Sequence, residues 1–171
     1  MTPESLSTLA NVAEVIGAGT IVTGAVFGLV QLRHFRIQQR NTVAQSLAQT
    51  FYNRDLANAI ALIQKVPDGI SLAELRARGP EYEEAAITVT TSFETMGVLV
   101  FERVATLAFV TDLAGGIVIT MCRKLERYQA ELRIELEQPS WAEWFEWLGD
   151  QVARVKTDRP PAYVAHADWR P

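Results

Sequence analysis

LANVAEVIGAGTIVTGAVFGLVQL, residues 9–32, is apolar almost throughout, and Glu14 is its only formal charge. A hydrocarbon core of ~30 Å needs ~20 residues of helix, so the stretch predicts one transmembrane helix. On its N-terminal side lie residues 1–8, an expected short extracytoplasmic segment without Lys or Arg. A secretory signal needs a basic n-region and a small-residue cleavage site, so an uncleaved anchor is the better reading. On its C-terminal side Arg33, Arg36 and Arg40 follow at once, with His34 among them. The positive-inside rule then sets the N-terminus outside and the bulk of the chain in the cytoplasm.

Within the span, Glu14 is read as interfacial. Twenty residues of hydrocarbon counted back from Leu32 begin near Ala13, which leaves the carboxylate within reach of water. Thr20, Gly24 and Gly28 recur every fourth residue, with Gly24 and Gly28 forming a GxxxG. Such a strip lets two helix backbones approach closely, so these three residues predict a helix-packing face, either for self-association or for another protein's helix.

Outward from the span the sequence predicts an all-α domain over 33–156, a cytoplasmic bundle of about four to five helices, then an extended aromatic and proline-rich tail over 157–171. No proline or glycine interrupts Leu29 to Val66. Helix is therefore expected to run unbroken from Leu9 to Val66, ~87 Å at 1.5 Å per residue. Pro67-Asp68-Gly69 ends it. Ser71 and Glu74 form a capping box for a short second helix. Pro80, at a first helical position, opens a third that runs to about Val110. Apolar side chains surround its second half, which predicts the central buried helix. Glu94, Glu102 and Arg103 oppose reading it as a second span, since each charge costs ~2.5–3.5 kcal/mol near a helix centre.

Thr111 or Asp112 is the expected cap of the fourth helix, whose inner face runs Ile117, Met121, Leu125, Tyr128, Leu132, Leu136. Its outer face mixes charges of both signs, Arg133 included, as a solvated face does. Pro139 closes it, and Ser140 with Glu143 makes a second capping box for a last helix. That helix turns Trp141, Trp144, Phe145, Leu148, Val152 and Val155 inward. Trp147 lies off this stripe, a candidate partner contact together with Tyr163 and Trp169 of the tail.

Little in the chain points to chemistry. The 171 residues carry a net charge of −4 and a pI of about 5.2, which gives no pull toward nucleic acid. Cys122 is the only cysteine, so there is no internal disulfide and no cysteine cluster for zinc. It reads as a small core residue. His34 and His166 fall in no metal-ligand spacing, and Gly115-Gly116 belongs to no phosphate-binding loop. No cofactor is expected. Glu94, Glu102, Arg103 and Glu146 are the most interesting polar set. They predict a polar core held by ion pairing, ahead of carboxylates at acid–base work.

Phe93-Glu94 followed by Gly97 and Val98, a lone Arg133 after a charged helix, and Phe145-Glu146 followed by Leu148 are the motifs that carry a resemblance. With these motifs, the chain from about Leu9 to Val152 resembles a family of small bacterial single-span membrane proteins known only as a domain of unknown function. The resemblance implies a bacterial inner-membrane setting and assigns no activity. The expectation is a non-enzymatic, membrane-anchored interaction protein, an accessory or structural subunit of a larger membrane assembly, with lipid and other subunits as partners. The alternative is a self-assembling homo-oligomer: a pore, a scaffold or a defence effector. An enzyme using Glu94 and Glu102 ranks third.

Overall fold

Asn53 decides where the helical domain begins. Its backbone is extended and its side chain accepts from the Asp55 N–H at 2.8 Å, which caps α1 (Arg54–Ile63). The expected unbroken helix to Val66 is therefore interrupted at Asn53, because the short amide side chain competes with the backbone for its own hydrogen bonds. The structure is a computed structural model that describes residues 20, 23–34, 49 and 53–170. Among the described residues all regular structure is helical.

The chain divides into two units, Met1–Thr42 and Val43–Pro171. In the first, residues 23–34 are helical, and Val26, Phe27, Leu29, Val30 and Leu32 are exposed. No helix among the described residues is long and apolar enough to cross a membrane. Most of the predicted span, including Glu14, lies outside those residues.

Among the described residues, the second unit holds α1 and five further helices: α2 (Leu72–Arg76), α3 (Pro80–Phe101), α4 (Leu107–Glu135), α5 (Glu143–Lys156) and α6 (Ala162–Ala165). Its core gathers Leu56 and Ile63 from α1, Leu75 from α2, Phe93 and Met96 from α3, Met121, Leu125 and Tyr128 from α4, and Phe145 and Leu148 from α5. Burying each such side chain contributes about 1.5–3 kcal/mol. α3 packs on α1 and α5, and α4 packs on α5.

The connection from α1 to α2 is pinned to the middle of α4. The Gly69 and Ile70 N–H groups donate to the Arg123 and Lys124 carbonyls at 3.0 and 3.2 Å, while Asp68 pairs with both basic side chains. Gly69 sits at φ 65°, a left-handed position that glycine adopts without penalty. The Ser71–Glu74 capping box forms as expected, and the Ser71 hydroxyl holds the Glu74 carboxyl below its usual range. Glu131 reaches across from α4 to accept the Leu72 N–H at 2.8 Å. Arg76 makes a two-pronged pair with Glu135 and a third contact with Glu83.

Several expectations need correction. The third helix stops at Phe101, not Val110. Arg103 turns left-handed at φ 58°, and the Val104 and Ala105 N–H groups both return to the Leu99 carbonyl. Thr106 then caps α4 by accepting from the Phe109 N–H at 3.2 Å. The proposed caps Thr111 and Asp112 lie inside α4. The end of α3 is not fully buried either: Val98 and Phe101 are exposed. Leu136 is exposed at the C-cap of α4. Ser140 does not cap α5. The N-cap is Ala142, left-handed at φ 61°, with no side-chain bond of its own. Trp141 and Trp144 are only half-buried, as is Val155. The tail, expected to be extended, contains the short helix α6.

Candidate functional site

α5 begins without a side-chain cap: the Glu143 N–H turns back to the Ser140 carbonyl at 3.3 Å, and the donors after it need acceptors from elsewhere. α3 supplies one. The Phe145 N–H donates to Glu94 Oε2 at 2.7 Å, a carboxylate placed against the positive end of a helix dipole. α4 supplies the complementary group. Arg133 Nε donates to the Trp141 carbonyl at 2.6 Å. Its Nη2 stands 2.9 Å from Glu146 Oε1, near enough for an ion pair but poorly aligned for a hydrogen bond. The Phe93 and Phe145 rings stack beside this cluster with centroids 5.2 Å apart. Gly97 lets the backbones of α3 and α5 meet, since a Cβ there would collide with the Trp144 carbonyl.

Of the predicted polar set, Glu94 and Glu146 therefore gather at one helix start. Glu102 and Arg103 do not. Both are exposed in the α3–α4 turn, where the left-handed Arg103 ends the helix. Periodicity placed Arg133 on a solvated outer face, yet it belongs to the cluster. The signal that marks it is the set of motifs behind the resemblance: Phe93, Glu94, Gly97, Arg133, Phe145 and Glu146 converge on the junction of α3, α4 and α5. Such residues hold the fold together at this point, whatever else they do.

Two shallow grooves flank the junction. One, about 310 Å³, is lined by Thr90, Thr91, Glu94, Gln138, Ser140 and Trp141. Beneath it the fully buried Gln129 donates from Nε2 to Thr90 Oγ1 at 3.5 Å, and its Oε1 has no partner among the described residues. The other, about 300 Å³, is lined by Cys122, Glu126, Glu146, Gly149 and Asp150. Burial pushes the Cys122 thiol well up, and the Glu146 and Asp150 charges add to the shift. A thiol held protonated in this way is a poor nucleophile. Gly149 leaves room for that sulfur, as a Cβ there would come within 2.5 Å of it. Among the described residues no three His, Cys, Asp or Glu side chains come together as a metal would need.

At the far end of α3 the surface is apolar. Phe101 is 52% exposed and Val104 49%. The Phe101 ring lies 4.5 Å from Trp144 and 6.0 Å from Trp147, centroid to centroid, and the two indoles are 5.9 Å apart and nearly perpendicular. Trp147, predicted to stand off the stripe, thus joins an aromatic ledge while packing partly against the core. Tyr163 and Trp169 are exposed in the tail. In the first unit, Gly24 and Gly28 each have open space where a Cβ would stand. Thr20 and Arg33 are described, whereas Arg36 and Arg40 lie outside the described residues.

Neither a curated protein nor a solved structure matches the chain. A family model described as a domain of unknown function, DUF4760, matches residues 16–152, most of the predicted span and the helical domain through Val152 of α5. The motif residues that build the junction fall wholly inside that match, and the chain belongs to the DUF4760 family.

Proposed function

We propose that the protein is a membrane-anchored, non-enzymatic interaction protein, an accessory or structural subunit of a larger membrane assembly. The observation that carries this reading is the helix over 23–34. Its Val26, Phe27, Leu29, Val30 and Leu32 side chains are exposed, and the described stretch runs on into Arg33 and His34. An apolar helix left bare and followed by cations suits a bilayer with its basic end inside, here a bacterial inner membrane with the domain in the cytoplasm. The polar groups of the domain support a role in contact over one in chemistry. Glu94 and Arg133 are engaged in holding α5, and the Cys122 thiol is kept protonated. Tyr163 and Trp169 offer aromatic side chains to partner subunits.

A self-assembling homo-oligomer is the second reading, favoured by one observation: the open space at Gly24 and Gly28, a bare strip against which a second helix backbone fits. Native mass spectrometry of the protein drawn from its own membranes in mild detergent tests both. Unrelated subunits at fixed stoichiometry support the accessory role. A homo-oligomer alone supports self-assembly, and loss of the oligomer in Gly24→Leu would locate its interface. A bare monomer refutes both.

A further inference from the structure

We infer that the α3–α4 tip is a second, shallow membrane contact: an aromatic-flanked turn that rests in the interfacial layer of a zwitterionic lipid surface. This rests on the membrane-anchored reading but concerns a different part of the molecule. Val98, Phe101 and Val104 are all exposed at this one end of the hairpin, with the Trp144 and Trp147 rings against Phe101. Tryptophan and phenylalanine in such a position suit the boundary between headgroups and hydrocarbon, where an aromatic body can be buried and its edge kept wet.

The backbone of the turn is prepared for that layer. A peptide group entering a region poor in water must already have its hydrogen bond. The N–H groups of Glu102, Arg103, Val104 and Ala105 all do: they donate to the carbonyls of Val98, Val100, Leu99 and Leu99. Thr106 also accepts one of the first donors of α4, the Phe109 N–H. The turn therefore exposes side chains without presenting these donors.

Charge selects the kind of surface. Between Glu94 and Asp112 the only formal charges are Glu102 and Arg103, adjacent and opposite, so the tip has no net charge. With one charge of each sign and no net charge, the tip offers a strongly basic or acidic protein partner no complementary field, while it matches a zwitterionic headgroup layer. Glu143 and Asp150, exposed on α5, further disfavour an anionic leaflet. Arg103 at the apex has the long apolar stem that lets a guanidinium reach phosphate while its base stays buried.

The sequence makes the test clean. The tryptophans are Trp141, Trp144, Trp147 and Trp169, none of them in the apolar stretch 9–32, so their emission reports the domain and not the anchor. The full chain is reconstituted into phosphatidylcholine vesicles with plain or brominated acyl chains, and co-flotation is measured alongside fluorescence. The wild type is expected to float and to lose emission in the brominated vesicles. The loss should disappear in Trp144→Phe/Trp147→Phe. It should shrink in Phe101→Ser/Val104→Ser, whose exposed positions leave the fold intact. A protein that floats but keeps equal emission in both vesicles overturns the tip contact alone. A protein that does not float overturns the anchored reading and the tip contact with it. Quenching unchanged in the tryptophan pair variant, or a disulfide-linked dimer formed by Phe101→Cys, assigns the tip elsewhere and also overturns the proposal.

Discussion

The two regions where α3 meets its neighbours are both apolar, yet one is closed and the other open. Along the α3–α5 seam, Phe93 stacks on Phe145, Gly97 admits the Trp144 carbonyl, and Glu94 caps the incoming helix. At the tip, a turn or two further along the same helix, Phe101 and Val104 stand half exposed. The difference lies in backbone approach. A glycine at 97 lets the helix backbones touch, and beyond it Phe101 meets Trp144 and Trp147 through side chains alone and keeps half of its surface in solvent. Apolar composition alone does not say which face is core. What faces it does.

Substitutions at the two regions should therefore part company, and the seam should suffer most. Phe145→Ala empties a fully buried ring site and should cost about 3–5 kcal/mol, read as a lower urea midpoint with an unchanged slope. A cost near that of a surface change would break the comparison. Gly97→Ala is the sharper probe, because the obstacle is a backbone carbonyl that cannot rotate away. About 1–3 kcal/mol should be lost even though alanine favours helix elsewhere. Glu94→Ala removes the acceptor at the start of α5 and should cost about 1–2 kcal/mol, with Glu94→Gln recovering much of it because an amide oxygen still accepts. Amide exchange at Phe145 is the local readout.

A milder effect is expected from pH. Glu74, Glu131 and Glu135 are all held below the usual carboxylate range, by the Ser71 hydroxyl, the Leu72 N–H and the Arg76 guanidinium respectively. The folded state then releases these protons more readily than the unfolded chain. Their contribution is full above the ordinary carboxylate pKa of roughly 4.3 and is lost as pH falls through the lowered folded values. Melting temperature should drop on acidification below about pH 4.5, less so in Glu135→Gln. The smallest change belongs to the tip. Phe101→Ser should cost about 1 kcal/mol, since the side chain it replaces is half in water already and loses only its packing on Trp144 and Trp147. A loss comparable to that of Phe145→Ala would show that the tip is core after all.

Much of the domain was legible along the chain. Pro67-Asp68-Gly69, the Ser71–Glu74 box, Pro80 and Pro139 mark boundaries through local chemistry, and the structure places turns and caps at each. The inner face of α4 emerged from periodicity for Met121, Leu125, Tyr128 and Leu132. Two boundaries carry a weaker local signal. Asn53 and Thr106 are both good N-caps, but no proline or glycine stands beside them to break the apolar periodicity. The site was harder to read. Glu94 and Glu146 stood out as charges in apolar company, but Arg133 looked like one more solvated cation, because a helical wheel shows which way a side chain points and not what waits there.

The sequence by itself determined the all-helical class, the family, most helix ends and the aliphatic stripes, since each follows from residues within one or two turns of one another. Only the tertiary structure decided what caps α5. Ser140 and Glu143 have the right spacing for a capping box, but the left-handed Ala142 between them starts the helix two residues late, and the acceptor comes from Glu94, 51 residues before the Phe145 that donates to it. Only tertiary structure, too, separated the closed seam of α3 from its open tip. A helix N-terminus requires an acceptor and an apolar side chain favours cover, but neither requirement names the partner. That choice belongs to whichever element the fold brings within reach.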